Sequence, residues 1–226
     1  MQPLQETLKR LETAAAAHKR VLVAYSGGKD SIATLDLCVK TFGIENVECF
    51  FMYFIPGLRC VEDELDKARK RWGVKIHQYP HWVLHKALAY GFFTNPWYTL
   101  DDLGFVEWKL DNIYALAMAE TDIGLIAHGR KRSDSKWARR VLATWGDKDT
   151  LLYPLIGWSK LDVLAYLTAN NLWVPGTSGR NATGVDLSTP SLLWLHDNHP
   201  QDFARIEHVF PYVRAVVERR RMFGVD

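Results

Sequence analysis

The sequence predicts an α/β fold: a five-stranded parallel sheet with helices on both faces, Rossmann-like, followed by a C-terminal helical extension. Three observations predict it. Val21 to Tyr25 is a short apolar run that breaks at Ser26-Gly27-Gly28, after which Ile32, Leu35, Val39 and Phe42 recur at helical spacing. The alternation of short apolar run and amphipathic stretch continues to Tyr79, and a β-α-β-α-β order implies parallel strands with right-handed crossovers. A further apolar run, Asp122 to His128, opens directly into Gly129 and a basic segment, at the end of the sheet where such folds bind ligands.

The elements follow in order. Residues 3–18 carry Leu4, Leu8, Leu11 and Ala15 on one helical face. That helix packs beside the first strand or on a partner, which leaves a homo-oligomer open. Val47 to Tyr53 is a second buried strand, ended by Pro56-Gly57. Val61 to Trp72 is a charged amphipathic helix with Gly73 as its C-cap, and Val74 to Tyr79 is the third strand. Tyr90 to Gly104 is aromatic and turn-rich, and reads equally as a functional loop or a lid over the core. Phe105 to Glu120 is a helix, Leu151 to Leu155 a fifth strand, and Ser159 caps a helix from Lys160 to Asn170. Past Pro175 periodicity is lost until helical patterns return from Pro190 to Arg221. The expected division is a nucleotide-binding α/β domain over 1–175 and a loop with a helical extension over 176–226.

Composition bounds the function. The chain has 226 residues, 48% of them hydrophobic and 24% charged, so it can bury an ordinary globular core. A net charge of +2 is too small to argue for nucleic acid or a membrane by itself. No apolar run approaches a membrane span, and the polar, amphipathic start shows no signal peptide. Cys38, Cys49 and Cys60 are scattered and lack any CxxC pairing. That pattern fits a reducing, cytoplasmic setting and argues against a disulfide framework or a structural zinc site.

The stretch from Val21 to Ser31 is where chemistry concentrates. A strand, a Gly-Gly turn and a helix N-terminus together make an anion site, because glycines admit close backbone approach and unpaired amides and the helix dipole favour negative charge. Lys29 adds a full positive charge, and Ser26 and Ser31 add hydroxyls. A Walker A loop would need glycine where Val23 stands and Ser or Thr where Asp30 stands, and Lys29 takes the place of the dinucleotide fingerprint's second glycine. Six basic residues crowd 130–140, and an anionic ligand is their expected partner rather than solvent. His77, His81 and His85 fall four apart, but Pro80 interrupts them, so no metal site is expected there. His196 and His199 read as a helix-end polar cluster, and Arg219 to Arg221 as a solvated face.

Ser26-Gly-Gly-Lys-Asp-Ser31 resembles the PP-loop of the ATP pyrophosphatase superfamily, whose fold is adenine nucleotide alpha-hydrolase-like. Gly129-Arg-Lys-Arg-Ser-Asp-Ser135, with Arg139 and Arg140 behind it, looks like the arginine-bearing loop of phosphoadenosine phosphosulfate (PAPS) reductases. Tyr153-Pro-Leu-Ile-Gly-Trp158 and the residues through Tyr166 to Pro175 resemble the same family's Pro-Leu…Trp…Asp-Val…Tyr segment. The resemblance implies an adenine-nucleotide enzyme that cleaves ATP between its α and β phosphates and adenylates an acceptor. It implies Lys29, Asp30 and Ser31 as the catalytic group, with Ser26, Gly27 and Gly28 holding phosphates and Asp30 orienting the loop or Mg²⁺. Adenine would lie near Ala24, Tyr25, Met52 and Gly129, while Arg130, Arg132, Arg139 and Arg140 would hold a sulfate, a 3′-phosphate or a nucleic-acid phosphate of an unnamed anionic acceptor.

Three departures limit the transfer. The reductases attack sulfur with a cysteine in a C-terminal Glu-Cys-Gly-Leu-His motif, and no cysteine follows Cys60 here. Phe51-Met-Tyr-Phe-Ile-Pro56 replaces the acidic and threonine residues that end the family's second strand. The paired cysteines that hold a cluster in related branches are absent, so no iron–sulfur cluster is expected. Two alternatives stay open: a PAPS or APS enzyme whose thiol comes from a partner protein, and a module that binds an adenine nucleotide without turning it over.

Overall fold

The structure, a computed structural model, describes residues 2–93, 108–145, 149–175 and 185–224. The strands are β1 (Val21–Ala24), β2 (Val47–Tyr53), β3 (Ile76–Pro80), β4 (Ile126–His128) and β5 (Leu151–Leu152). They form one sheet in the order β3-β2-β1-β4-β5, and every pairing is parallel. The helices among the described residues are α1 (Gln2–Ala17), α2 (Lys29–Phe42), α3 (Arg59–Trp72), α4 (Trp82–Ala89), α5 (Leu110–Thr121), α6 (Lys136–Trp145) and α7 (Lys160–Ala169). Three more, α8 (Thr189–Asn198), α9 (Pro200–Val209) and α10 (Val213–Phe223), close the chain.

β1 is central, and its side chains alternate between two cores, as a strand's period of two requires. Val21 and Val23 join a cluster with Leu35 of α2 and Leu65 of α3, while Leu22 joins Phe50, Ile113 and Ile126 on the other face. Burial on both faces is why β1 reads as a continuous apolar run rather than an alternating one. The C-terminal helices bury Leu192, Phe203, Ile206 and Val213 against Ile55, Leu58 and Ala87, residues that follow β2 or lie on α4.

Several expectations hold at residue level. Gly73 caps α3 in the left-handed region at φ 71°, and Ser159 and Asp162 form a reciprocal capping box at α7. Others shift. The fifth strand stops at Leu152, because Tyr153 to Trp158 turn to support the loop after β4. The C-terminal pattern divides into three helices at His199-Pro200 and at Pro211, where proline cannot continue a helix. Residues 94–104 of the aromatic loop and 176–184 of the polar stretch lie outside the described residues, as do 105–107 of the helix expected from Phe105. No helix among the described residues is long and apolar enough to cross a membrane.

Candidate functional site

The strand order reverses at β1: α2 carries the chain to β2 on one side, and β4 lies on the other. A crevice outside the carboxyl ends of β1 and β4 follows from that topology. Register places Ala24 opposite His128, so the loop after β1 and the loop after β4 leave the sheet side by side.

The first loop is shaped by its own sequence. Gly27 adopts φ +73°, which an L side chain rarely tolerates, and Gly28 is the N-cap of α2. Ile32 N–H is the first helical amide with an intrahelical acceptor, Gly28 O at 3.0 Å, so the amides before it point out of the helix end. Ser31 Oγ donates to Gly28 O at 2.9 Å and lies 3.3 Å from Ser26 Oγ. The two hydroxyls therefore brace the turn from inside. α2 itself is anchored far from the loop, where buried Asp36 accepts from Tyr166 Oη at 2.7 Å and Trp72 Nε1 at 3.2 Å, and pairs with Lys40 at 2.6 Å.

Gly129 begins the second loop and touches the first. A Cβ there would stand 3.0 Å from Asp30 C, 3.1 Å from Asp30 O and 3.2 Å from Ser31 N, all backbone atoms that cannot swing aside. Only glycine fits without displacing the start of α2. Two residues on, Lys131 is 2% exposed and its ammonium lies 2.7 Å from both Asp30 Oδ1 and Asp134 Oδ1. Asp30 Oδ2 meets Lys29 Nζ at 2.8 Å. Two lysines thus converge on one carboxylate at the helix end.

The segment after β5 holds this loop in place. Ile156 O accepts from Arg132 N at 3.1 Å, and Trp158 O accepts from Ser133 Oγ at 2.8 Å. Trp158 is itself pinned by Nε1 donating to Thr7 Oγ1 on α1 at 2.8 Å. Tyr153 to Trp158 is therefore a buttress for the basic loop.

The structure sorts the expected residues. Ser26, Gly27, Gly28, Lys29, Asp30, Ser31 and Gly129 come together, with Ala24 beneath them on β1. Tyr25 does not present its ring to the crevice: it is buried in the core, its hydroxyl has no hydrogen-bond partner among the described residues, and burial, then Cys49 and Glu64, pushes the phenol up. Met52 sits near the end of β2, half-buried and paired in register with Tyr79. Arg130 places its guanidinium 5.1 Å from the Trp137 ring centre, and Arg132 turns outward. Arg139 and Arg140 lie exposed on α6.

Two residues at the site escaped sequence reasoning. Lys131 is the cation that reaches the loop, and the carboxylate at Asp134, three residues on, was the available signal. His128 ends β4 with Nδ1 accepting from Arg130 N at 3.2 Å. Burial, and then Arg130, lowers its imidazole to about 4. It is a neutral imidazole beside the anion cradle.

The expected absence of metal ligands and of an iron–sulfur cluster is corrected by the α3 N-terminus. Cys60, His199 and Asp202 bring a thiol, an imidazole nitrogen and a carboxylate oxygen within 4.8 Å of one another, among the described residues. Asp202 already accepts the amides of Arg59 and Cys60, both at 2.8 Å, so ligation would draw on its remaining lone pairs. The exclusion rested on missing cysteine pairs, and it fails because this group is assembled from residues about 140 apart in the chain.

Comparison with solved structures finds chains of similar fold. The NH3-dependent NAD synthetase of Campylobacter jejuni subsp. jejuni, solved with nitrate ion, is 13% identical, covers 100% of this chain and 96% of its own, and superposes with a TM-score of 0.53. The U34-tRNA thiolase NcsA of Methanococcus maripaludis, solved with its [4Fe-4S] cluster, is 18% identical over 95% of this chain and 80% of its own, with a TM-score of 0.49. Comparison with curated proteins found no significant match. The family model for the phosphoadenosine phosphosulfate reductase domain matches residues 20–176, from just before β1 to just past α7, and so takes in the glycine turn, the loop after β4 and its buttress. With most of its length covered, the chain belongs to the phosphoadenosine phosphosulfate reductase domain family.

Proposed function

We propose that this protein binds ATP in the crevice between β1 and β4, cleaves it between the α and β phosphates, and transfers the adenylyl group to an acceptor. One observation carries the reading: the open end of α2, with Gly27 at φ +73°, lies beside two ammonium groups anchored on Asp30. An acceptor oxygen attacks the α-phosphorus, the bond to the α–β bridging oxygen breaks, and pyrophosphate leaves with the electron pair. Charge accumulates on that pyrophosphate, where helix amides and Lys29 stabilise it, while buried Lys131 holds Asp30 in place beneath them. The family's thiol chemistry has weaker support here. Cys60 is buried, and burial, then Asp202, pushes its thiol up, so the reactive thiolate is disfavoured.

The test is product analysis with ATP and magnesium, alone and with cell extract as acceptor source. AMP and pyrophosphate are expected, and Lys29→Ala should weaken ATP binding at least about tenfold by removing a charge-assisted contact. ADP and orthophosphate, or equal calorimetric affinity in the variant, would overturn the reading.

A further inference from the structure

We infer that Cys60, His199 and Asp202 bind a single zinc ion that fastens the C-terminal helices to α3. The inference goes beyond the ATP reading and concerns metal binding alone. Cys60 is the second residue of α3, while His199 is the N-cap of α9 and Asp202 lies in its first turn. Three residues apart at a helix start, His199 and Asp202 face the same side. The C-terminal helices pack here, with Leu192, Phe203 and Ile206 in one cluster with Leu58 and Cys60. That packing brings a sulfur, an imidazole nitrogen and a carboxylate oxygen within 4.8 Å of one another. Zinc bonds of about 2.0–2.3 Å place tetrahedral donors about 3.5 Å apart, a gap that rotation of the Cys60 and His199 side chains closes.

Burial and charge decide the kind of ligand. Cys60 is 8% exposed and Asp202 3%, so neither is a solvated surface group. Asp202 has no lysine or arginine ion partner among the described residues, and a carboxylate buried without a cation is costly. Its bonds from the Arg59 and Cys60 amides use one lone pair on each oxygen and leave the others free. The His199 imidazole packs 4.6 Å from the Trp194 ring centre and makes no hydrogen bond among the described residues, so a ring nitrogen is available. The N-terminal ends of α3 and α9 meet here, and their dipoles favour the two anionic donors. When the ion binds, the Cys60 sulfur donates an electron pair to it and the thiol proton leaves to solvent. Thiolate and carboxylate together offset the double positive charge. One sulfur, one nitrogen and one oxygen suit zinc with water in the fourth position, whereas calcium and magnesium call for a shell of oxygens.

Titration of the untagged full chain with zinc against a chromophoric chelator tests the proposal, with cobalt(II) as the spectroscopic stand-in. One zinc per chain should bind, and excess magnesium should not displace it. The cobalt form should show a thiolate-to-metal charge-transfer band and the visible bands of tetrahedral coordination. Cys60→Ser should abolish the charge-transfer band, while Cys38→Ala, which removes a thiol elsewhere in the core, should keep it. Cys60→Ser and His199→Asn should each weaken zinc binding at least about a hundredfold, beyond the usual effect of losing an outer-shell partner. Zinc should raise the thermal midpoint of wild type and leave both of these variants unchanged at the same concentration. Circular dichroism checks that each variant keeps its fold, and His199, at a half-buried position, supplies the test should Cys60→Ser not fold. Absent stoichiometric zinc, a cobalt spectrum without the thiolate band, a band that survives Cys60→Ser, or wild-type zinc affinity in His199→Asn overturns the proposal.

Discussion

The Lys131 ammonium lies 2.7 Å from Asp30 Oδ1, and this ion pair ties the loop after β4 to the first turn of α2. Lys131 is also held by Asp134, whose carboxylate accepts the Lys131 backbone amide at 2.8 Å. The arrangement fixes the spacing of the two loops that enclose the crevice.

Replacing Lys131 by Met should therefore cost both stability and affinity. Breaking a buried pair by removing one partner costs about 3–5 kcal/mol, but both carboxylates are partly solvated, so about 1–3 kcal/mol is expected. Urea unfolding measures the first loss and calorimetry with ATP the second. A variant that binds ATP as tightly as wild type would show that Lys131 braces the fold without serving the site.

Gly129→Ala tests the close approach of the loops. Its Cβ would meet Asp30 and Ser31 backbone at 3.0–3.2 Å, and overpacking of this kind costs about 1–3 kcal/mol. ATP affinity should fall with stability, because the displaced atoms are those that present the helix-end amides. Gly124→Ala is the control: nothing lies within 4 Å of its Cβ, so its unfolding midpoint should stay near wild type.

His128 predicts a specific pH dependence. Its folded value is about 4 against an ordinary 6.5, so the unfolded chain binds a proton that the folded chain refuses. The contribution is whole above about 6.5 and is lost as pH falls toward 4, by about 1–3 kcal/mol. In His128→Asn, which keeps an acceptor for Arg130 N, the fall in urea midpoint between those pH values should be smaller than in wild type. Parallel curves would show that His128 takes up its proton in the folded protein with little cost.

Asp202 links the C-terminal helices to the α3 N-terminus. Burial alone would raise its carboxyl, but the amides of Cys60 and Arg59 outweigh that and hold it below the ordinary aspartate value. Its stabilisation is complete above the ordinary value and is lost as pH falls through the lower, folded one. Asp202→Ala should cost about 1–3 kcal/mol at neutral pH, since a buried amide at Cys60 and a part-buried one at Arg59 lose their acceptor. Thermal or urea unfolding checks this, and an unchanged midpoint would mean that water replaces the carboxylate.

Local pattern determined much of this protein. The apolar run at Val21, the Gly27-Gly28 break and the helical spacing after Asp30 are fixed by neighbours in sequence, and they made the sheet, the PP-loop and the family legible. Gly73 and Ser159 were legible as caps for the same reason. Tertiary structure decided what depends on residues far apart. Tyr25 follows the loop's strand, yet β1 sends its ring into the core on the alternation of a strand. Lys131, rather than its arginine neighbours, reaches Asp30 because the turn after β4 is bent by the buttress at Ile156 and Trp158. Cys60 meets His199 and Asp202 because the C-terminal helices fold back onto the α3 N-terminus. Spacing along the chain reports which residues share a helix face or a turn, and it carries no record of which ends of different elements a sheet brings together.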